Sequence, residues 1–307
     1  MKKILNIIII ILGTILISGC GNENNDKLKV VSTVFVGYDA VREIAGNIEI
    51  DNEILIKPGS DVHSFDPSPK DIVNIKTSDI FIYVGGESEE WVNDILSEID
   101  TNKTKVVKMM DYVSLKEEET VEGMEEEEEH IEEMDEHIWT SPVNMKLISE
   151  KIKDALILAD KDNSNIFEEN YNNYSSKLDE LDKEFRNIVE TSKRKEVLFA
   201  DRFPLLYFVK EYGLNYYAAF KGCAESTEAS SKTISFLIDK IKEDNLPYIF
   251  TIELSNKKIA NTISKETGAR ILEFNSLHNI SKEDFDNGET YITLMNKNTE
   301  NLKKALN

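Results

Sequence analysis

From residue 27 onward, short β-branched runs alternate with amphipathic stretches whose apolar positions recur every three or four residues. Residues 28–34, 49–56, 80–84 and 105–107 read as strands, with helices at 38–45, 69–78 and 89–99 between them. The rhythm returns late, with strands at 196–199, 214–218, 248–251 and 270–273. Strands separated by helices indicate βαβ units and a mostly parallel sheet. The pattern therefore predicts an α/β protein of two lobes, each a mostly parallel sheet flanked by helices.

Between the two rhythms, residues 143–191 contain neither proline nor glycine, and Ile148, Ile152, Leu156, Phe167, Tyr171, Tyr174, Leu178, Leu181, Phe185 and Ile188 fall at helical spacing. The Asp160-Lys161-Asp162-Asn163-Ser164 stretch is expected to break this into two helices, with Asp162 or Ser164 as the cap. A helical connection acts as a stiff strut. The lobes are thus joined by a long rigid linker helix and are expected to rock rather than swing. The expected division is a first lobe at 28–160, the linker at 161–192 and a second lobe at 193–307.

At the other end of the hydropathy scale, Lys2 and Lys3 precede an apolar run at 4–17 that closes on Ile17-Ser18-Gly19-Cys20. The run is shorter than the ~20 residues a spanning helix needs. A small pair directly before a cysteine suits cleavage and lipidation of Cys20. Residues 1–19 are read as a signal peptide and 20–27 as a tether, leaving the folded body anchored through lipid on the outer face of the cell membrane. The alternative is an uncleaved anchor. The other cysteine, Cys223, then has no intramolecular partner, so no disulfide is expected.

Charge narrows the partners. With 58 Asp and Glu against 36 Lys and Arg, the formal net charge is −22. Nucleic acid and anionic bilayer surfaces would repel such a chain, while for an exported protein the same charge serves solubility. Residues 116–135 hold a glutamate run at 125–129 followed by His130. A block of like charge with nothing apolar to bury predicts a disordered loop, and its place ahead of His137 also admits a metal-collecting flap.

Only four histidines occur. His63 and His137 sit in proline-bounded, turn-rich segments, where a rigid backbone can aim an imidazole; His278 follows the last predicted strand. All three fall where an open α/β sheet collects ligands. Three imidazoles from two lobes, completed by an oxygen ligand or water, suit zinc, and manganese, which prefers more oxygen, less well.

Four segments carry a resemblance: Pro58-Gly59 with His63-Ser64-Phe65-Asp66-Pro67-Ser68-Pro69, Gly85-Gly86 with Glu90-Trp91, Asp135-Glu136-His137-Ile138-Trp139-Thr140-Ser141-Pro142, and Glu266-Thr267-Gly268-Ala269. Over nearly all of the mature chain these resemble the zinc and manganese solute-binding lipoproteins of bacterial ABC importers. The resemblance implies two α/β lobes bridged by a long helix, a metal held between them and handed to a membrane permease, and a non-enzymatic, monomeric component. It also implies a third ligand at a strand end where this chain has Ala200, and a fourth, commonly acidic, near Asn275. Ala200 cannot bind metal and Asn275 would bind poorly. His278 is the natural replacement and Asp201 the next candidate, although Asp201 reads equally as a partner of Arg202 or a helix cap. Cys223 is read as a buried thiol before a soft ligand, and Glu253 as a reserve ligand.

Three rivals remain. A secreted zinc hydrolase would share the ligand set, but no His-Glu-x-x-His occurs and Glu136 would point away from His137 in an extended segment. A binder of a metal chelate would grip it with Arg202, Tyr216 and Tyr217. An adhesin leaves no signature in the pattern.

Overall fold

The computed structural model describes residues 27–60, 65–125, 133–224 and 228–307. Cys20, His63 and His130, together with the expected signal peptide and the start of the tether, lie outside the described residues.

The first lobe runs β1 (Lys29–Ser32), α1 (Phe35–Ala45), β2 (Asp51–Ile54), α2 (Pro69–Lys76), β3 (Ile80–Tyr83), α3 (Trp91–Leu96) and β4 (Lys105–Lys108). Two long helices follow, α4 (Pro142–Ala159) and α5 (Ser164–Thr191). The second lobe is β5 (Glu196–Phe203), α6 (Leu206–Tyr212), β6 (Asn215–Lys221), α7 (Ser231–Glu243), β7 (Tyr248–Thr251), α8 (Lys258–Thr267) and β8 (Arg270–Glu273), then α9 (Lys282–Asp286) and α10 (Tyr291–Leu306). All pairings within the two sheets are parallel, in the orders β2-β1-β3-β4 and β6-β5-β7-β8. Each order reverses beside its first strand, and ligands gather at the carboxyl ends of strands at such points.

Local chemistry explains the boundaries. Every residue of β3 is buried, as a parallel strand covered on both faces requires. At α2 a Ser68/Asp71 capping box precedes Pro69, a residue suited to the first helical position. The 28 residues of α5 span about 42 Å. Its buried face, including Phe167, Tyr174, Leu178, Leu181 and Phe185, joins a core that runs from Val30 and Ile82 in the first sheet to Phe199 and Phe250 in the second. A separate apolar layer lies on each sheet's other side, around Phe81 and Ile95 in one lobe and Leu198 and Leu237 in the other.

Three expectations are corrected. The N-cap of α5 is Asn163, not Asp162 or Ser164, and its side chain makes no capping hydrogen bond. Asp160 instead accepts from the Asn163 backbone N–H and Nδ2, at 3.3 and 2.6 Å. Strand β5 continues four residues beyond 199 through a bulge, pairing Arg202 with Phe220 and Phe203 with Lys221. Asp201 therefore lies within a strand rather than past its end.

The third correction concerns the acidic loop. Its described arms at 116–125 and 133–135 are ordered: Glu117 pairs with Met134, and the Asp135 N–H donates to the Lys116 carbonyl at 2.9 Å. The outgoing arm then crosses to the second lobe. Met124 is buried, the Glu125 N–H donates to the Ala219 carbonyl on β6 at 3.0 Å, and the Ser230 N–H donates to Glu125 Oε1 at 2.5 Å. Composition hid this because one apolar residue and a few backbone bonds dock the arm.

Candidate metal centre

His137 follows the acidic loop and precedes a single 3₁₀ turn, Ile138–Thr140, that leads through Pro142 into α4. Its ring is wholly buried. Asp135 accepts from the His137 backbone N–H at 2.8 Å and lies 3.2 Å from its Nδ1. A carboxylate at Nδ1 fixes the tautomer that turns the Nε2 lone pair outward, the orientation in which an imidazole can take a metal. Burial pulls the imidazole pKa down, but Asp135, then Glu136 and Glu118, outweigh it and leave the ring above its ordinary value. Gly222 makes room: a Cβ there would lie 3.0 Å from the ring's Cε1 and 3.1 Å from the Phe203 carbonyl.

His278 arrives from the second lobe, on the loop after β8. Its Nδ1 lies 3.2 Å from His137 Nε2, with the two rings nearly perpendicular. Trp139 lies against both imidazoles and donates from Nε1 to the Ser276 carbonyl at 2.9 Å. The chain leading towards His63 is tied to the same loop. Asn279 Nδ2 donates to the carbonyls of Lys57 and Ser60 at 3.1 and 2.5 Å, and the Gly59 N–H donates to the Ile280 carbonyl at 2.8 Å.

Beside His278 opens a cavity of about 290 Å³ whose walls include Ser60, Asp201, Arg202 and Glu253. Asp201 is buried; its Oδ1 accepts from the Arg202 backbone N–H at 2.9 Å, and burial raises its pKa. The structure thus brings together His137 and His278, and sets Asp201 in the wall of the adjoining cavity. Among the described residues no three His, Cys, Asp or Glu side chains are grouped closely enough to hold an ion. Ala200 is buried in β5, and Asn275 is tied to Asn298, donating from its backbone N–H and from Nδ2 to Oδ1 at 2.8 and 3.1 Å.

Other candidates have different work. Glu136 accepts from the Ser88 N–H at 2.8 Å and from its hydroxyl, turned into the first lobe. Glu253 accepts from both the N–H and the hydroxyl of Ser276, each at 2.6 Å, and burial raises its pKa. Cys223 is a half-buried free thiol, with its pKa pushed well up by burial and by Glu118. Tyr216 stacks on Phe203 and Tyr217 packs against Phe236; neither is among the cavity walls that hold Arg202. Sequence reasoning missed the parts played by Asp135, Trp139 and Ser276. A signal was present for Asp135, which alternates with His137 so that in extended backbone the two share a side while Glu136 faces away; Trp139 reaches the rings from the 3₁₀ turn instead.

The chain is similar to known proteins over most of its length. The family model described as "Zinc-uptake complex component A periplasmic" (ZnuA) matches residues 30–305. The zinc-binding lipoprotein AdcA of Streptococcus pneumoniae R6 is 32% identical over 310 residues, covering 99% of this chain and 61% of AdcA. The chain thus spans about three fifths of that relative's length. The high-affinity zinc uptake system protein ZnuA of Bacillus subtilis 168 is 31% identical over 321 residues, covering 99% of this chain and 98% of that protein. The crystal structure of the Zn(II)-bound ZnuA-like domain of S. pneumoniae AdcA superposes with a TM-score of 0.76 at 30% identity, covering 91% of this chain and 99% of that one.

Proposed function

Because the chain belongs to the family of the zinc-uptake complex component A, we propose that it captures zinc, in preference to manganese, between its two lobes and delivers it to the permease of an ABC importer. The observation that carries this reading is the approach of His137 and His278 to 3.2 Å from segments on opposite sides of the cleft. Two imidazoles presented by a buried, carboxylate-backed scaffold favour a borderline metal with nitrogen affinity. His63 is the third ligand in this reading, carried by the chain that Asn279 ties to the same loop. Asp201, buried in the wall of the adjoining cavity, or a water completes four-coordination in this reading.

Lipidation of Cys20 holds the protein on the outer face of the membrane, where it works as a monomer. Catalysis is not part of this reading. The acid adjacent to His137, Glu136, is engaged by the N–H and the hydroxyl of Ser88.

The test is metal analysis and calorimetric titration of the purified protein with zinc and manganese, for wild type, His63→Ala, His278→Ala and Asp201→Ala. One zinc bound tightly, and weakened in both histidine variants, supports the site. Equal binding in wild type and His278→Ala removes the second lobe from it, and no binding to wild type overturns the metal reading altogether.

A further inference from the structure

Ser276 is the most heavily held residue near the candidate centre. Its N–H and hydroxyl both donate to the Glu253 carboxylate at 2.6 Å, its carbonyl accepts from Trp139 Nε1 at 2.9 Å, and its Oγ accepts from the His278 N–H at 3.3 Å. The next residue, Leu277, has φ of +61° with its side chain buried. A leucine rarely adopts the left-handed region, and such strain persists only where the surroundings over-determine it. His278 then follows directly. Glu253 is itself a buried carboxylate, which a fold retains only where hydrogen bonds compensate its lost hydration.

We propose that Glu253 is the positioning residue for His278: its carboxylate pins Ser276, the pinned Ser276 forces Leu277 into the left-handed conformation, and that kink turns the His278 ring towards His137. Trp139 closes the clamp from the other side. It lies two residues after His137, so its bond to Ser276 links the two histidine segments across the lobes. Glu253 is in this account a positioning residue and not a ligand, each of its oxygens accepting from Ser276. The inference rests on the zinc reading above for its affinity arm, while the clamp itself is made of side-chain and backbone hydrogen bonds.

The test compares Glu253→Ala, Glu253→Gln and Ser276→Ala in the full chain. A glutamine reproduces both contacts, its carbonyl accepting from the Ser276 N–H and its amide donating to the Ser276 Oγ, so a positioning role is rescued by it. Glu253→Ala is expected to weaken zinc binding ten- to a hundredfold, as loss of outer-shell partners does, and Glu253→Gln to return it to within about fivefold of wild type. Imidazole ¹H–¹⁵N spectra of the zinc-free proteins supply the second readout. Glu253→Ala is expected to shift the His278 resonances and Glu253→Gln to leave them near wild type. Equal weakening by alanine and glutamine would make the carboxylate itself a ligand and overturn the proposal, as would unchanged His278 resonances in Glu253→Ala. If wild type fails to bind zinc, the zinc reading falls while the resonances still decide the clamp.

Discussion

His137 Nε2 and His278 Nδ1 lie 3.2 Å apart although they stand 141 positions apart in the chain. For a neutral pair this contact needs one N–H and one lone pair, and Asp135 at the far side of His137 selects which. Asp135, His137 and His278 therefore form one hydrogen-bonded chain across the two lobes.

Asp135→Asn should weaken zinc binding ten- to a hundredfold, because the neutral amide no longer raises the basicity of His137. Competition with a chromophoric chelator measures this directly. An affinity equal to wild type would show that the ring is oriented by Gly222 and Trp139 alone.

Glu89 gives a pH prediction for the stability of the first lobe. It is buried beside the turn after β3, accepts from the Gly85 N–H at 2.8 Å, and burial raises its pKa from 4.5 to about 7. The folded state thus binds the proton more tightly than the unfolded state. Its contribution to stability is complete below about pH 4.5 and fades as pH rises through about 7. The full effect is on the order of 3 kcal/mol. Glu89→Gln should therefore gain stability relative to wild type at about pH 8 and little at about pH 4.5, in urea titrations at both values. A constant difference across that range would mean that Glu89 stays ionised in the fold.

Gly123→Ala should release the acidic arm from the second lobe. The residue has φ of +89°, and a Cβ there would lie 2.0 Å from the Phe236 ring. Freed of its anchor, the arm should be cleaved by protease about tenfold faster or more, since local opening governs such cutting. Unchanged cleavage would mean that Met124 and Glu125 hold the arm without this turn.

Cys223 should be a sluggish nucleophile. Burial and the nearby Glu118 hold its thiol pKa well above the ordinary value, and only the thiolate reacts. Alkylation at about pH 8 should run tenfold or more below an unhindered thiol, and Glu118→Gln should accelerate it. Reaction at the rate of an exposed cysteine would contradict the burial seen here.

The alternation of short β-branched runs with amphipathic stretches was enough to determine two parallel α/β lobes and the helical strut, because strand and helix periodicities are local properties of the chain. His137 was legible for the same local reason, in a proline-bounded, turn-rich segment, whereas the parts played by Asp135 and Trp139 emerged only with the fold. What only the tertiary structure decided are the pairings across long separations. The bulge that carries Asp201 inside β5 depends on β6, and the clamp of Glu253 on Ser276 joins residues 23 apart. The glutamate-rich arm reads as unstructured by composition, yet Met124 and the edge of β6 dock it on the other lobe. Sequence periodicity fixes which face of an element is apolar, whereas the partner of a buried polar atom is fixed by packing that brings distant segments together.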